Sequence, residues 1–198
     1  MGLNSGVKTR IYTKSVAFSL WICSILMGVM VVMAIRPSDA YAQESKRGEY
    51  EVKAAFLYNF VKFVEWPDDK NTHADRTINI CILGEDRFGN AFDFIKDETI
   101  GNRSLAIKRF KTLQHIENCH VLFISRSEKE DIEHILGTVK GLNILTVGDT
   151  EGFANKGVII NFYIEKNRVR FEINVDSLKR SGLSISSKVM HLARIIQG

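Results

Sequence analysis

Four short runs of apolar and β-branched residues, separated by segments with helical spacing, constrain the fold of this 198-residue chain more than any other feature. Runs of this length between polar turns are typical of buried strands. Strands that alternate with helices predict an α/β fold with a doubly wound, mostly parallel sheet and helices on both faces. The four predicted strands are TINICILG (77–84), SLAIKRF (104–110), CHVLFISR (119–126) and NILTVGD (143–149).

The pattern changes near the C-terminus. Two long β runs in residues 157–174 surround Glu165-Lys166-Asn167, which predicts an antiparallel hairpin at the edge of the sheet. A helical turn ended by Gly182 follows. Ser186 or Ser187 is then expected to begin a last amphipathic helix. Its predicted apolar stripe comprises Val189, Leu192, Ala193 and Ile196.

Two further helices are predicted in the first half of the chain. EYEVKAAFLYNFVKFVEWP (49–67) has helical spacing, and Trp66-Pro67 is expected to end it because proline disfavours the α conformation before it. Lys53 is assigned to the polar side of this helix. Its predicted buried face comprises Val52, Ala55, Phe56, Asn59, Phe60, Phe63 and Val64. DRFGNAFDFIKD (86–97) is predicted to form a helix that buries Phe88, Phe92 and Ile95.

The first 42 residues have the organisation of a secretory signal peptide: a basic start, an apolar stretch at 16–35 and an A-x-A cleavage site. Cleavage is expected between Ala42 and Gln43, which leaves a single domain at 43–198. The apolar stretch is also long enough for a retained membrane anchor. Either arrangement places the domain outside the cytoplasm, in a bacterial periplasm.

Loss of residues 1–42 would remove four basic residues and one acidic residue, so the net charge would fall from +4 to +1. A charge this small gives no argument for nucleic-acid binding. The segment also contains Cys23, which leaves Cys81 and Cys119. In an oxidising compartment the two cysteines are expected to form a disulfide, and two separate buried thiols are the alternative.

Motifs for catalysis and cofactors are incomplete. Gly84-x4-Gly89 follows a strand as in a P-loop, but the required lysine is absent. SISSK near the C-terminus resembles the S-x-x-K motif of penicillin-binding proteins, yet Ile185 stands where the serine should be. His115, Cys119 and His120 lack the ligand spacing of a recognisable zinc site, and Cys119 would be unavailable if it pairs with Cys81. The sequence therefore predicts no enzyme, no metal and no cofactor.

A ligand crevice is predicted at the carboxyl ends of the strands, where open α/β sheets bind ligands. The hydroxyl-rich segment before the last helix adds a candidate anion site, although Ser186 alone could serve as a helix cap. The candidate ligand-binding residues are Gly84, Asp86, Arg87, Ser125, Asp149, Phe153, Ser184, Ser186 and Lys188.

Several stretches of the chain resemble the YfiR family of periplasmic regulators. They are EYEVKAAFLYNFVKFVEWP, ICILG, CHVLFIS, ILTVGDTEGFANKGVIINF and VRFEINVDSLKRSGLSISSKVMHLARII, which together cover about residues 48–197. The resemblance implies a doubly wound α/β domain without a catalytic site, often a homodimer. It also implies that Cys81 and Cys119 form a family disulfide. A second cysteine pair found in some members around residues 146–154 is absent.

The resemblance further implies a membrane partner. Well-understood members bind the periplasmic domain of an inner-membrane diguanylate cyclase of the YfiN type and repress it. An outer-membrane lipoprotein of the YfiB type relieves this repression, which raises cyclic di-GMP and favours biofilm. Another membrane sensor protein could take the place of the cyclase. A periplasmic solute-binding protein that uses the strand-end crevice is the alternative function.

Overall fold

The computed structural model describes residues 38–67 and 77–198, and an eight-stranded mixed sheet lies at its centre. The chain divides into compact units at 1–44 and 45–198, and the second contains the sheet. The helices are α1 (Ser38–Phe63), α2 (Ile132–Thr138), α3 (Phe153–Lys156), α4 (Val175–Arg180) and α5 (Ser187–Met190). The strands are β1 (Val64–Glu65), β2 (Thr77–Leu83), β3 (Thr99–Ile100), β4 (Arg103–Phe110), β5 (Val121–Ile124), β6 (Leu145–Gly148), β7 (Ile160–Glu165), β8 (Arg168–Asn174), β9 (Ser184–Ile185) and β10 (Arg194–Ile196).

The order of strands across the large sheet is β10-β8-β7-β6-β5-β2-β4-β3. The four central pairs, β7–β6, β6–β5, β5–β2 and β2–β4, are parallel, and so is the edge pair β10–β8. The pairs β3–β4 and β7–β8 are antiparallel. Lys166 and Asn167 form the two-residue hairpin loop, both at positive φ, as a tight hairpin turn requires. The predicted α/β class, the mostly parallel sheet and the C-terminal hairpin are confirmed.

Helices cover both faces of the sheet, as predicted. Ile80 and Ile82 of β2 join one core, into which α1, α4 and α5 pack. Cys81 and Leu83, which alternate with them, join a second core with α2 and α3. Because successive strand residues point to opposite faces, a strand between two helix layers is apolar at nearly every position.

The predicted buried face of α1 is partly wrong. Val52 is 45% exposed and Asn59 is exposed, although Phe60 and Val64 are buried as expected. The side chains that α1 and the following residue bury are Tyr50, Lys53, Ala54, Leu57, Phe60, Val61 and Val64. The prediction failed because it treated the lysine as a marker of the solvent side, whereas this lysine has a buried acidic partner.

The prediction of a last amphipathic helix through Ile196 is also wrong. The helical segment α5 ends at Met190, and Arg194–Ile196 instead form β10, which pairs with β8. The outer edge of the hairpin offers unpaired backbone groups, and a strand at 194–196 satisfies them. Leu192, which was expected to be buried, is 67% exposed.

Residues 86–97 form turns and one short 3-10 helix at Asp93–Ile95 rather than a full helix. Phe88, Phe92 and Ile95 are nevertheless buried as predicted. Two other single 3-10 turns lie at Ile116–Asn118 and Arg126–Glu128.

Most of the predicted signal peptide lies outside the described residues. Ala42 and Gln43 fall within α1, and nothing in the structure tests whether the chain is cleaved there. Among the residues that the structure describes, none of the helices is both long and apolar enough to span a membrane.

Candidate functional site

A cavity of about 630 Å³ opens at the carboxyl ends of β2, β5 and β6, where the sequence predicted a ligand crevice. The middle of α1 and the hairpin β7–β8 complete its walls. Its lining comprises Glu49, Tyr50, Lys53, Arg87, Arg126, Asp149, Glu151, Gly152, Asn155, Asn161, Phe162, Tyr163, Ile164, Glu172 and Arg194. We call it the strand-end cavity.

A buried ion pair forms one wall of the strand-end cavity. Lys53 Nζ lies 2.7 Å from Asp149 Oδ2, and the two side chains are 3% and 6% exposed. Lys53 also pairs with Glu49 one turn earlier in α1, and its ammonium lies 4.3 Å from the centre of the Tyr50 ring. The Tyr50 hydroxyl donates a 2.7 Å hydrogen bond to the same Asp149 oxygen. One carboxylate therefore holds the middle of α1 against the end of β6.

Burial, together with the adjacent Asp149 carboxylate, raises the pKa of Tyr50 well above the value of about 10 that tyrosine has in the unfolded chain. The folded protein thus keeps the phenolic proton at pH values where the unfolded chain has lost it. The stability that this phenol contributes is complete below about pH 10 and is lost as the pH rises toward the folded-state pKa.

We therefore expect the free energy of unfolding to fall more steeply between about pH 10 and 12 in the wild-type protein than in Tyr50→Phe. The difference in slope approaches about 1.4 kcal/mol per pH unit when only the unfolded state ionises. Urea titrations at a series of pH values measure it. Parallel pH profiles for the two proteins would contradict the assignment.

The opposite wall carries a second ion pair, in which Arg194 Nε donates to Glu172 Oε2 at 3.0 Å. The Arg194 guanidinium lies 4.2 Å from the centre of the Tyr163 ring, and its hydrogen bond to Glu172 raises its pKa. Asn161 Nδ2 donates to the other Glu172 oxygen at 3.3 Å. Asn161 is 1% exposed, and its Oδ1 has no hydrogen-bond partner among the described residues. Buried acceptors are normally satisfied, so this oxygen could receive a hydrogen bond from a water or a ligand.

The lining of the cavity carries charges of both signs. Among the described residues that line it are four basic and four acidic side chains. Side chains of these types can bind charged or polar ligands through ion pairs and hydrogen bonds. In the described part of the chain, no group of three or more histidine, cysteine, aspartate or glutamate residues could hold a metal ion.

Of the predicted site residues, only Arg87 and Asp149 line the cavity. Arg87 bonds to Glu85, which raises the pKa of the guanidinium. Asp86 accepts hydrogen bonds from the Phe88 amide at 2.8 Å and from Arg109 at 2.6 Å, so it orders the loop after β2.

Three other predicted residues serve packing and loop geometry. Gly84 has φ +89°, and a Cβ there would lie 2.3 Å from Ser127 Oγ, so only glycine fits. The Ser125 hydroxyl donates to the Glu85 carbonyl at 2.8 Å. Phe153 is buried, and a Cβ on Gly148 would lie 2.6 Å from its ring.

The hydroxyl-rich segment 184–188 lies near the amino ends of the parallel strands, whereas the strand-end cavity lies at their carboxyl ends. Trp66, just beyond β1, contacts His120 directly before β5, and β1 pairs with β9. Ser186 accepts a hydrogen bond from the Lys188 amide, which is the capping role, and Ser184 pairs with Glu65. The structure therefore does not bring Ser184, Ser186 or Lys188 to the strand-end cavity.

Cys81 and Cys119 form a disulfide, and both cysteines are fully buried. The bridge joins β2 to the residue two positions before β5, in the core on the α2 side of the sheet. The disulfide that the resemblance implied is thus present in the structure.

The residues that α1, the hairpin and β10 contribute to the cavity were not predicted to lie there. Tyr50 and Lys53 were assigned only to the first predicted helix. Asn161 and Glu172 were assigned to the hairpin, and Arg194 to the last predicted helix. One signal was available: Lys53 recurs at helical spacing with Tyr50, Leu57 and Phe60, as a lysine with a buried partner does.

Comparisons with known proteins give one family match. A family model described as YfiR/HmsC-like matches residues 50–194. Among solved structures, a conserved domain protein from Vibrio cholerae O1 biovar El Tor strain N16961 is 10% identical over 75% of this chain, with a TM-score of 0.48. The ABC domain in complex with L-Trp from Streptococcus pneumoniae is 9% identical over 60% of this chain, with a TM-score of 0.44. This chain spans 60% and 56% of those two chains, and neither likeness bears on function.

Proposed function

Since the chain belongs to the YfiR/HmsC-like family, we propose that it is a non-catalytic periplasmic regulator that binds the periplasmic part of an inner-membrane diguanylate cyclase and represses it. Release of the cyclase would then raise cyclic di-GMP and favour biofilm. An outer-membrane lipoprotein that triggers the release, and a homodimeric state, are parts of the same proposal.

The observation that carries the proposal is the extent of the family match. Residues 50–194 include nearly all of the compact unit at 45–198, so the likeness concerns the whole domain rather than one motif. The strand-end cavity also supports the proposal, because its paired charges of both signs suit the binding of a polar partner or ligand.

A groove between α1 and the hairpin offers a surface for a protein partner. It encloses about 600 Å³ and is lined by Gly48, Glu49, Val52, Phe56, Ile164, Asn167, Arg168 and Val169. Val52 is 45% exposed and Ile164 is 50% exposed, which is unusual for large apolar side chains that share one groove. Exposed apolar residues with a charged rim are typical of protein interfaces. We call this surface the α1–hairpin groove.

The test is capture of the partner from detergent-solubilised inner membrane by the wild-type protein and by Ile164→Asp. A charge in the apolar centre of an interface removes a contact worth about 2 kcal/mol, so we expect capture to weaken about thirtyfold. Cyclic di-GMP in cells that carry the variant should rise toward the level seen when the gene is deleted.

Leu192→Asp is the matched control, because Leu192 is also apolar and exposed but does not line the groove. It should capture the partner as the wild type does. If deletion of the gene leaves cyclic di-GMP unchanged, the cyclase is not the partner. Equal capture by Ile164→Asp and the wild type would exclude the α1–hairpin groove as the interface.

A further inference from the structure

A second cavity, of about 390 Å³, lies where the C-terminal ends of α2, α3 and α4 come together. Its volume is in the range of small-molecule sites, roughly 300–1,000 Å³. The lining comprises Leu136, Val139, Lys140, Gly141, Asn143, Ile144, Thr146, Lys156, Gly157, Ile159, Ser177, Arg180 and Ser181. We call it the α2–α4 cavity.

The floor of the α2–α4 cavity is apolar. Val139, Ile144 and Ile159 are buried residues whose side chains line it, and partly buried Leu136 packs beside them. Gly157 closes the space between α2 and α4, since a Cβ there would lie 3.5 Å from Leu136 and 3.7 Å from Ser177. An apolar chain or ring that entered the cavity would lose contact with water on this floor.

The rim of the cavity is basic. Lys140, Lys156 and Arg180 are exposed, and the described residues that line the cavity include no aspartate or glutamate. Arg180 donates a 2.9 Å hydrogen bond to Ser177 Oγ and longer ones, of 3.4 and 3.5 Å, to the Gly198 carbonyl oxygen, so an anion in the cavity would compete with Gly198 for this guanidinium. The nearby carboxylate of Asp176 does not line the cavity and accepts a hydrogen bond from the Gly198 amide at 3.2 Å.

Helix ends explain part of this charge. Cations near the C-terminal end of a helix offset the partial negative charge of its free carbonyl groups. This helix-end effect would stabilise a cation at each helix separately. It does not explain why the three cations surround one apolar floor. The strand-end cavity, by contrast, has equal numbers of both charges.

We propose that the α2–α4 cavity binds a small amphipathic anion, namely an apolar chain or ring that carries one carboxylate. The apolar part would lie on Val139, Ile144 and Ile159, and the carboxylate would lie between Lys140, Lys156 and Arg180. Leu136, Val139 and Ile144 belong to the core on the face of the sheet opposite α1. The α2–α4 cavity shares no lining residue with the α1–hairpin groove, so the proposed site is separate from that groove and stands or falls independently of the cyclase.

Titration calorimetry with octanoate, on the protein purified as it accumulates in the cell, tests the proposal. We expect saturable binding of one octanoate per chain. Acetate, which lacks the apolar chain, and octylammonium, which has the opposite charge, should not bind. Replacing Lys140, Lys156 or Arg180 with glutamine should weaken octanoate binding roughly two- to fivefold each, as expected for exposed charges.

Lys179→Gln is the matched control. Lys179 precedes Arg180 in α4 and carries the same charge, but it faces Asp176 and does not line the cavity. Its octanoate affinity should equal that of the wild type, and thermal unfolding verifies that each glutamine variant is folded. Leu136→Phe, which fills the floor and keeps every charge, should also lose binding. The proposal is overturned if octanoate does not bind, if octylammonium binds equally well, or if the triple glutamine variant keeps its affinity.

Discussion

Replacing Lys53 with methionine is expected to lower the free energy of unfolding by about 3–5 kcal/mol, the usual cost of removing one partner from a buried ion pair. Methionine nearly matches the length of the lysine stem, so the change removes charge more than volume. Asp149 would remain buried, with the Tyr50 hydroxyl as a neutral partner that cannot compensate its charge. Urea denaturation followed by circular dichroism gives the free energy of unfolding.

Lys62→Met provides the control for the loss of a lysine from the same helix. Lys62 is exposed and lies 4.8 Å from the centre of the Tyr58 ring, a contact worth about 0.5–1 kcal/mol at an exposed site. In the double variant Lys53→Met, Asp149→Asn, the buried charge is gone and part of the lost stability should return. Equal costs for Lys53→Met and Lys62→Met would refute the importance of the buried pair.

The same pair shows where sequence reasoning succeeds and where it fails. The central strands could be predicted because β5 is apolar throughout and β2 is apolar except for Thr77 and Asn79, as a position between two helix layers favours. The face of α1 could not, since its assignment depended on whether Lys53 has a partner. That partner, Asp149, lies 96 residues further along the chain. The spacing of apolar residues shows which side of a helix is apolar, but it does not show which distant residue a lysine on that helix will pair with. Residues this far apart in the chain are paired only by the tertiary structure.

The C-terminal segment fails for a related reason. Val189, Leu192 and Ile196 fit a helical stripe, yet residues 194–196 form a strand because the edge of β8 lies next to them. A short segment beside an unpaired strand edge takes the conformation that satisfies the backbone hydrogen bonds of that edge. Its intrinsic helix or strand propensity is then a weak guide to its secondary structure. Arg194 thereby reaches Glu172 and the strand-end cavity, so an error in one short element also removed a residue from the predicted site.

Removal of the disulfide by Cys81→Ala, Cys119→Ala is expected to lower the free energy of unfolding by about 4 kcal/mol in the chain-entropy model. The two cysteines are 38 residues apart, and β3 and β4 lie in the loop that the bridge closes. Without the bridge, the unfolded chain gains the entropy of that loop. Urea denaturation of the oxidised wild type, the reduced wild type and the double variant measures the effect.

The reduced wild type and the double variant should have similar stabilities, well below that of the oxidised wild type, and non-reducing mass spectrometry should show Cys81 linked to Cys119. Free thiols, or a double variant within about 1 kcal/mol of the oxidised protein, would contradict this prediction. A typical domain has about 5–15 kcal/mol of stability in total, so this loss would leave part of the protein unfolded in the cell. Higher cyclic di-GMP in such a strain would therefore report on folding. Substitutions at exposed residues such as Ile164 are the ones that can report on the partner interface.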